Sequence, residues 1–312
     1  MTKADWITGQ KDSTSSLGIS TVIWIYRLLG RRCAYALVWC ITLVVIISNP
    51  GLRHRSEVYL KRIRRFAEKR GIELKRLTPH RHIFRFATGM LEKMLAWKGL
   101  LKADDMVSVN NSLERLRELD AKKKSHVIIS SHIGDIELLR AINNFLDQTT
   151  LNIILETENN RRFMEYLRGV NQNSGINIIP VSDITPATVV KLQESLARGE
   201  WLAVLGDRLN STETRSMRID FLDGRADFPV GPWIMASILN APVCIIHTII
   251  SDGRRKLYMK EIGRPEIRRK SRDKDLRRYI SGYAELMEEL LLEAPLDWFN
   301  FYDFWQEGDS TK

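Results

Sequence analysis

From Asn110 to Leu292 the hydrophobic pattern switches repeatedly between two periods, and this alternation is the tightest constraint on the fold. Short runs, most rich in β-branched residues, occur at Val127–Ser131, Leu151–Leu155, Ile176–Val181, Trp201–Leu205, Met217–Leu222, Val243–Ile250 and Leu257–Ile262. Longer stretches of helical pattern lie between or after them, at Ile136–Phe145, Arg161–Val170, Thr188–Ala197, Pro232–Leu239 and Leu276–Leu292. Strands that are apolar throughout need cover on both faces, and intervening helices supply it. The expectation is an α/β sheet covered by helices, without internal repeats. A chain of 312 residues can bury one principal domain with additions.

The part before the sheet reads differently. Met1 to Gly18 is polar and predicts a mobile tail, without the cleavage pattern of a secretory signal. Ile19–Leu29 is apolar, Gly30-Arg31-Arg32 interrupts it, and Cys33–Ile47 is uncharged and strongly apolar. That last run is shorter than the ~20 residues a spanning helix needs. A short span, a re-entrant segment and a buried helix all fit it. A membrane anchor is favoured, because a helix apolar all round needs lipid or a large core. Arginines stand on both sides (Arg31 and Arg32, Arg53 and Arg55), so charge gives no orientation. Asn49-Pro50-Gly51 ends the helix. From Arg53 to Arg85 basic residues far outnumber Glu57, Glu68 and Glu73, with Tyr59, Leu60, Ile63, Phe66 and Ala67 recurring at helical spacing. This is a basic amphipathic helix suited to an anionic membrane surface, with a second helix, Ile83–Trp97, packed beneath it. The formal net charge of +10 favours an anionic partner: nucleic acid, anionic lipid or an acidic carrier protein. No aromatic RNA platform or recognition-helix motif supports nucleic acid. Cys33, Cys40 and Cys244 lack zinc-site spacing and read as thiols of a reducing compartment. The expected domain plan is 1–50 tail and anchor helix, 51–110 basic helical segment, 111–306 α/β domain and 307–312 tail.

The chemistry-bearing stretch is Val127 to Leu139. Its β-branched run ends in Ser130-Ser131-His132-Ile133-Gly134, Asp135 is a helix N-cap, and Glu137 falls in the first helical turn. On one continuous helix His132 and Glu137 would stand about 140° apart. Across a strand–turn–helix junction they can meet, and a carboxylate on an imidazole fixes the tautomer of a general base. The plainer alternatives are a first-turn acid that complements the helix dipole and a structural histidine. Position favours function, because α/β sheets bind ligands at the carboxyl ends of their strands. Leu205-Gly206-Asp207-Arg208 ends another strand. Arg208 could fork onto phosphate, and Asp207 could hold Arg208 or bind a sugar or polar acceptor. Arg161 and Arg162 open a helix and read as exposed charges. Ser130 and Ser131 lack a Gly-x-Ser-x-Gly elbow, so no covalent role is assigned. The helix opened by Pro229–Trp233 could hold an anion or simply pack. His247 sits mid-strand and reads as a core residue, and His80 and His82 have no metal-ligand company. The aromatic run Trp298–Trp305 could cover the core, line an acyl groove or sit at a membrane interface.

Taken together, the His-x4-Glu pair His132/Glu137 and five further motifs resemble the late acyltransferases of lipid A biosynthesis. Those motifs are Ala187–Leu192 with Arg198–Trp201, Leu205–Arg208, Phe221–Gly224 and Phe228–Trp233. The resemblance runs from about Trp24 to Trp305 and is nearest the branch found in aryl polyene gene clusters. It implies a glycerolipid-acyltransferase-like mixed sheet and O-acyl transfer from an acyl carrier protein or coenzyme A thioester to a hydroxyl of a lipid or glycolipid. The acyl group would be fatty or polyene. It also implies His132 and Glu137 as catalytic, Arg208 and Asp207 as substrate-binding, no cofactor and no metal. The implied location is the inner (cytoplasmic) membrane with the site on the cytoplasmic side. A non-catalytic membrane protein that uses the same fold to hold a lipid or carrier is the alternative.

Overall fold

The computed structural model describes residues 16–97, 106–134, 149–156, 175–209 and 215–305. Its strands are β1 (Met106–Ser108), β2 (Val127–Ser130), β3 (Leu151–Leu155), β4 (Ile176–Pro180), β5 (Trp201–Leu205), β6 (Ser216–Phe221), β7 (Gly224–Pro229), β8 (Val243–Ser251) and β9 (Arg254–Gly263). A seven-stranded mixed sheet runs in the order β1–β9–β8–β2–β5–β3–β4. β2, β3, β4, β5 and β8 are parallel, β9 is antiparallel to β8, and β1 is parallel to β9. β6 and β7 form a separate antiparallel hairpin.

All four residues of β2 are buried, as a central strand covered on both faces requires. Val127 and Ile129 belong to the larger core, shared with α2 (Pro50–Glu68), α5 (Pro186–Ala197), α6 (Gly231–Ile238) and α7 (Arg272–Glu293). Ile128 belongs to the second core, with Trp201, Cys244, Ile246 and the residues Leu116 and Leu119 of α4 (Ser112–Ala121). Period-2 alternation thus splits one strand between two cores.

Three elements were not anticipated from sequence: β1, α4 and β7. β7 carries Gly224, Arg225, Asp227 and Pro229, which mask its strand character. It forms because Ala226 and Phe228 point inward and because Leu222 and Asp223 both take positive φ, as a two-residue hairpin turn demands. The Leu222 N–H donates to Glu288 Oε1 at 2.6 Å, which helps to hold this turn. β9 begins earlier than expected because the Asp252-Gly253 turn, also at positive φ, brings Arg254 opposite Ser251.

The two apolar N-terminal pieces are two helical segments, labelled together α1 (Ser16–Ser48), that meet at a kink at Gly30, where φ is 82° and ψ 179°. Asn49 ends α1 and caps α2, its Oδ1 accepting from Leu52 N–H. Beyond the bend, Ala34, Val38 and Thr42 are buried, and Ala34 and Val38 pack with Leu91 of α3 (Pro79–Trp97). Glu92 of α3 accepts from Arg31 and Tyr35 of α1 and from Arg255 of β9. Many apolar residues of α1 are uncovered: Trp24, Leu28, Leu29, Trp39, Val44 and Ile47 are exposed, Ile47 by 74%. Trp24–Ser48 is long and apolar enough to cross a membrane. α2 buries Tyr59, Leu60, Ile63, Phe66 and Ala67, the stripe expected from its spacing. The helices expected at 136–145 and 161–170, and with them Glu137, Arg161 and Arg162, lie outside the described residues, as do the terminal tails apart from Ser16–Gly18 at the start of α1.

Candidate active site

β2 and β5 are neighbours, with Ser130 opposite Leu205. The chain leaves the sheet at the same level on both, so His132 and Asp207, each two residues past a strand end, emerge side by side. The connections after these strands run in opposite directions: β2 leads to β3 beyond β5, and β5 leads by way of the hairpin to β8 beyond β2. Ligands bind such a point of reversal in open α/β sheets.

Two glycines allow the close packing. A Cβ on Gly206 would lie 2.7 Å from Ile129 Cγ2, and its N–H extends the ladder to Ser130 O at 2.8 Å. Gly134 has φ of 67°, and a Cβ there would fall 1.4 Å from Thr248 O. No other residue could make this turn without moving β8.

Asp207 has 0% exposure, against 26% for the His132 side chain. Its Oδ1 lies 3.0 Å from His132 Nδ1. Its Oδ2 accepts from the His132 backbone N–H at 3.0 Å and from the Trp298 indole N–H at 3.1 Å. Burial alone would push this carboxyl up. The His132 charge, the His132 ring and backbone N–H groups and the Trp298 N–H outweigh it and hold the group below the usual carboxylate range. An ionised carboxylate on Nδ1 places the ring proton there and leaves Nε2 as the basic nitrogen. This is the arrangement of an oriented general base.

The C-terminal segment braces the turn from outside. Ile133 bridges Trp298 antiparallel, Phe299 N–H donates to His132 O at 2.8 Å, and Gly134 N–H donates to Asp297 O at 2.6 Å. Asp297 is itself buried, accepting from Arg85 Nε at 2.7 Å and from Ile250 N–H at 2.6 Å. His82 of α3 reaches Trp298 O through Nε2 at 2.8 Å and Ser56 Oγ through Nδ1 at 2.9 Å. A carbonyl only accepts, so Nε2 carries the proton and Ser56 donates to Nδ1. Burial pushes His82 down to about 4 against the pull of that carbonyl, so it is neutral. Tyr59 of α2 donates to Pro295 O. Helices α2 and α3 therefore grip the strip that holds the His132 turn.

Of the residues expected at the site, His132 and Asp207 meet. Asp207 was expected to hold Arg208 or contact substrate; its three hydrogen bonds among the described residues go instead to His132 and Trp298. Arg208 lies next to this pair, its guanidinium 4.9 Å from the centre of the Tyr302 ring. A cation–π contact places the charge without using a hydrogen-bond donor. Ser131 is fully buried, accepts from Ile133 N–H and faces His247 Nδ1 at 3.4 Å. Ser130 Oγ donates to Ile246 O. His247 is a core residue that burial pushes down to about 4. No group of histidines, cysteines and carboxylates among the described residues could hold a metal ion.

Trp298 and Asp297 escaped the sequence reading as site residues. The aromatic density of the C-terminal run was visible, but nothing in it announces an indole aimed at a carboxylate 91 positions away.

A family model for bacterial lipid A biosynthesis acyltransferases matches residues 84–307, from α3 through the C-terminal aromatic strip. No curated protein matches the chain.

Proposed function

Starting from the fact that this chain belongs to the bacterial lipid A biosynthesis acyltransferase family, we propose that it transfers an acyl group from a thioester to a hydroxyl of a lipid or glycolipid at the inner membrane. The observation that carries this is the ionised, buried Asp207 on His132 Nδ1 at the carboxyl edge of adjacent strands. In this reading Nε2 of His132 removes the acceptor hydroxyl proton as the oxygen adds to the thioester carbonyl carbon. Collapse of the intermediate re-forms the carbonyl, breaks the C–S bond and returns the proton from His132 to the departing sulfur. Asp207 keeps the ring in register and stabilises its charged form. Glu137 is proposed as a second carboxylate for the same reaction, and Arg208 as the contact for a phosphate of donor or acceptor.

The donor is an acyl carrier protein thioester or its coenzyme A equivalent, and the net charge of +10 suits the acidic surface of a carrier. Exposed apolar residues on α1 and basic residues on α2 support membrane association; the cytoplasmic placement of the site is proposed from the family resemblance alone. The branch associated with aryl polyene clusters is the proposed affiliation within the family, which makes a polyene acyl group a candidate beside a fatty one.

The test is acyl transfer by the purified full-length protein in detergent, with both donors and a membrane lipid extract as acceptor. Product should form with wild type and vanish with His132→Ala at unchanged Tm. A folded His132→Ala protein with full activity would show that His132 is not the base.

A further inference from the structure

The strip that braces His132 also carries a buried polar side chain of its own, Asn300. Alternate residues in it face opposite ways. Phe299 and Phe301 turn to α3, each 5.4 Å from the Phe86 ring. Trp298 turns to Asp207 and Tyr302 lies under Arg208. Asn300 is the middle member of this second row, between the partner of Asp207 and the partner of Arg208. It is 4% exposed, and neither its Nδ2 nor its Oδ1 has a hydrogen-bond partner among the described residues. The Tyr302 phenol lies beside the amide.

A buried amide with both functions unmet destabilises the fold, because desolvation is not repaid by any bond. Retained one residue from a backbone contact to His132, such a group is open to a functional reading. Its backbone position is tied to the base: the preceding residue, Phe299, donates to the His132 carbonyl at 2.8 Å.

We propose that Asn300 is a catalytic residue whose Nδ2–H donates to the thioester carbonyl oxygen as that oxygen becomes an oxyanion. The inference rests on the acyl-transfer reading above. When the acceptor oxygen bonds to the carbonyl carbon, the π pair moves onto oxygen and the proton passes to His132. The fixed N–H stabilises the new charge until the C–S bond breaks and the sulfur leaves with the proton. Donors placed in advance for this oxygen are worth about 10²–10³ in kcat.

The test uses Asn300→Leu, which has the same heavy-atom shape with no polar atom, and Asn300→Asp, which keeps the shape without the N–H donors. Each full-length variant is assayed for acyl transfer and for slow thioester hydrolysis, in which water replaces the acceptor. Both variants should lose about 10²–10³ in kcat for both reactions, with KM for donor and acceptor nearly unchanged. The Tm of Asn300→Leu should equal or exceed that of wild type, which a structural asparagine would not allow. Unchanged kcat in either variant overturns the proposal. So does a raised acceptor KM with normal hydrolysis, which would make Asn300 an acceptor contact. A wild-type protein that neither transfers nor hydrolyses acyl thioesters overturns the acyl-transfer reading itself, and this proposal with it.

Discussion

Replacing Asp207 by Asn removes a charge and almost no volume from the candidate active site. The carboxylate stands 3.0 Å from His132 Nδ1. At that separation and an effective dielectric of about 20, opposite unit charges interact by about 5 kcal/mol. This attraction exists only while the ring is protonated, so its loss falls on the step in which His132 has taken the proton. At 1.36 kcal/mol per tenfold, kcat should drop by three to four powers of ten. Tautomerism works in the same direction. The asparagine oxygen can keep the bonds from His132 N–H and Trp298 Nε1–H, both now made to Oδ2. Its NH₂ then faces Nδ1, the ring proton moves to Nε2, and the basic nitrogen points away from substrate. Single-turnover acyl transfer by the full-length variant measures the loss, with thermal unfolding to confirm the fold. Retention of more than a tenth of the wild-type rate by a folded Asp207→Asn protein would refute the orienting role. If Glu137→Gln then proved the more damaging change, the role would belong to Glu137.

Further outcomes follow from other parts of the molecule. His82 and His247 are each pushed down to about 4 by burial, below their unfolded value. The unfolded chain therefore binds protons first, and their share of stability is present near neutrality and lost as pH falls from about 6.5 to 4. His247→Phe should accordingly gain about 2 kcal/mol on wild type between about pH 7 and pH 4.5, read by denaturant unfolding at each pH; a constant difference would mean that His247 titrates normally. The protein should stay with membranes through high-salt washing, because hydrophobic insertion is not screened. Val44→Asp with Ile47→Asp, at positions 66% and 74% exposed, should release it or make binding salt-sensitive, and no change in fractionation would argue against insertion of α1. Arg208→Ala should raise KM for both donors if it meets the shared phosphopantetheine phosphate, or for the acceptor alone if it meets a head group. Lys should restore only part of either loss, and unchanged kinetic constants would remove Arg208 from the site.

Much of this protein can be read from local pattern. A buried run ending in a polar, glycine-containing turn marks a strand that stops at a sheet edge, so Val127–Ser130 and Trp201–Leu205 were evident, with His132 and Asp207 just past them. The apolar stripe of α2 was evident for the same reason: spacing reports which side of an element is covered. Pattern is silent on which strand lies beside which. His132 and Asp207 are 75 positions apart, and they meet only because β2 and β5 are neighbours in a register set by packing across the whole sheet. That register set Asp207, expected to contact substrate, against His132 Nδ1. The hairpin strand β7 and the contacts of the Trp298–Tyr302 strip with the His132 turn and Asp207 were hidden likewise, since polar and aromatic residues there take their meaning from distant elements. Backbone propensity acts over a few residues, whereas the geometry of this candidate site depends on groups drawn from α2, α3, two strand ends and the C-terminal strip, which only the folded core brings together.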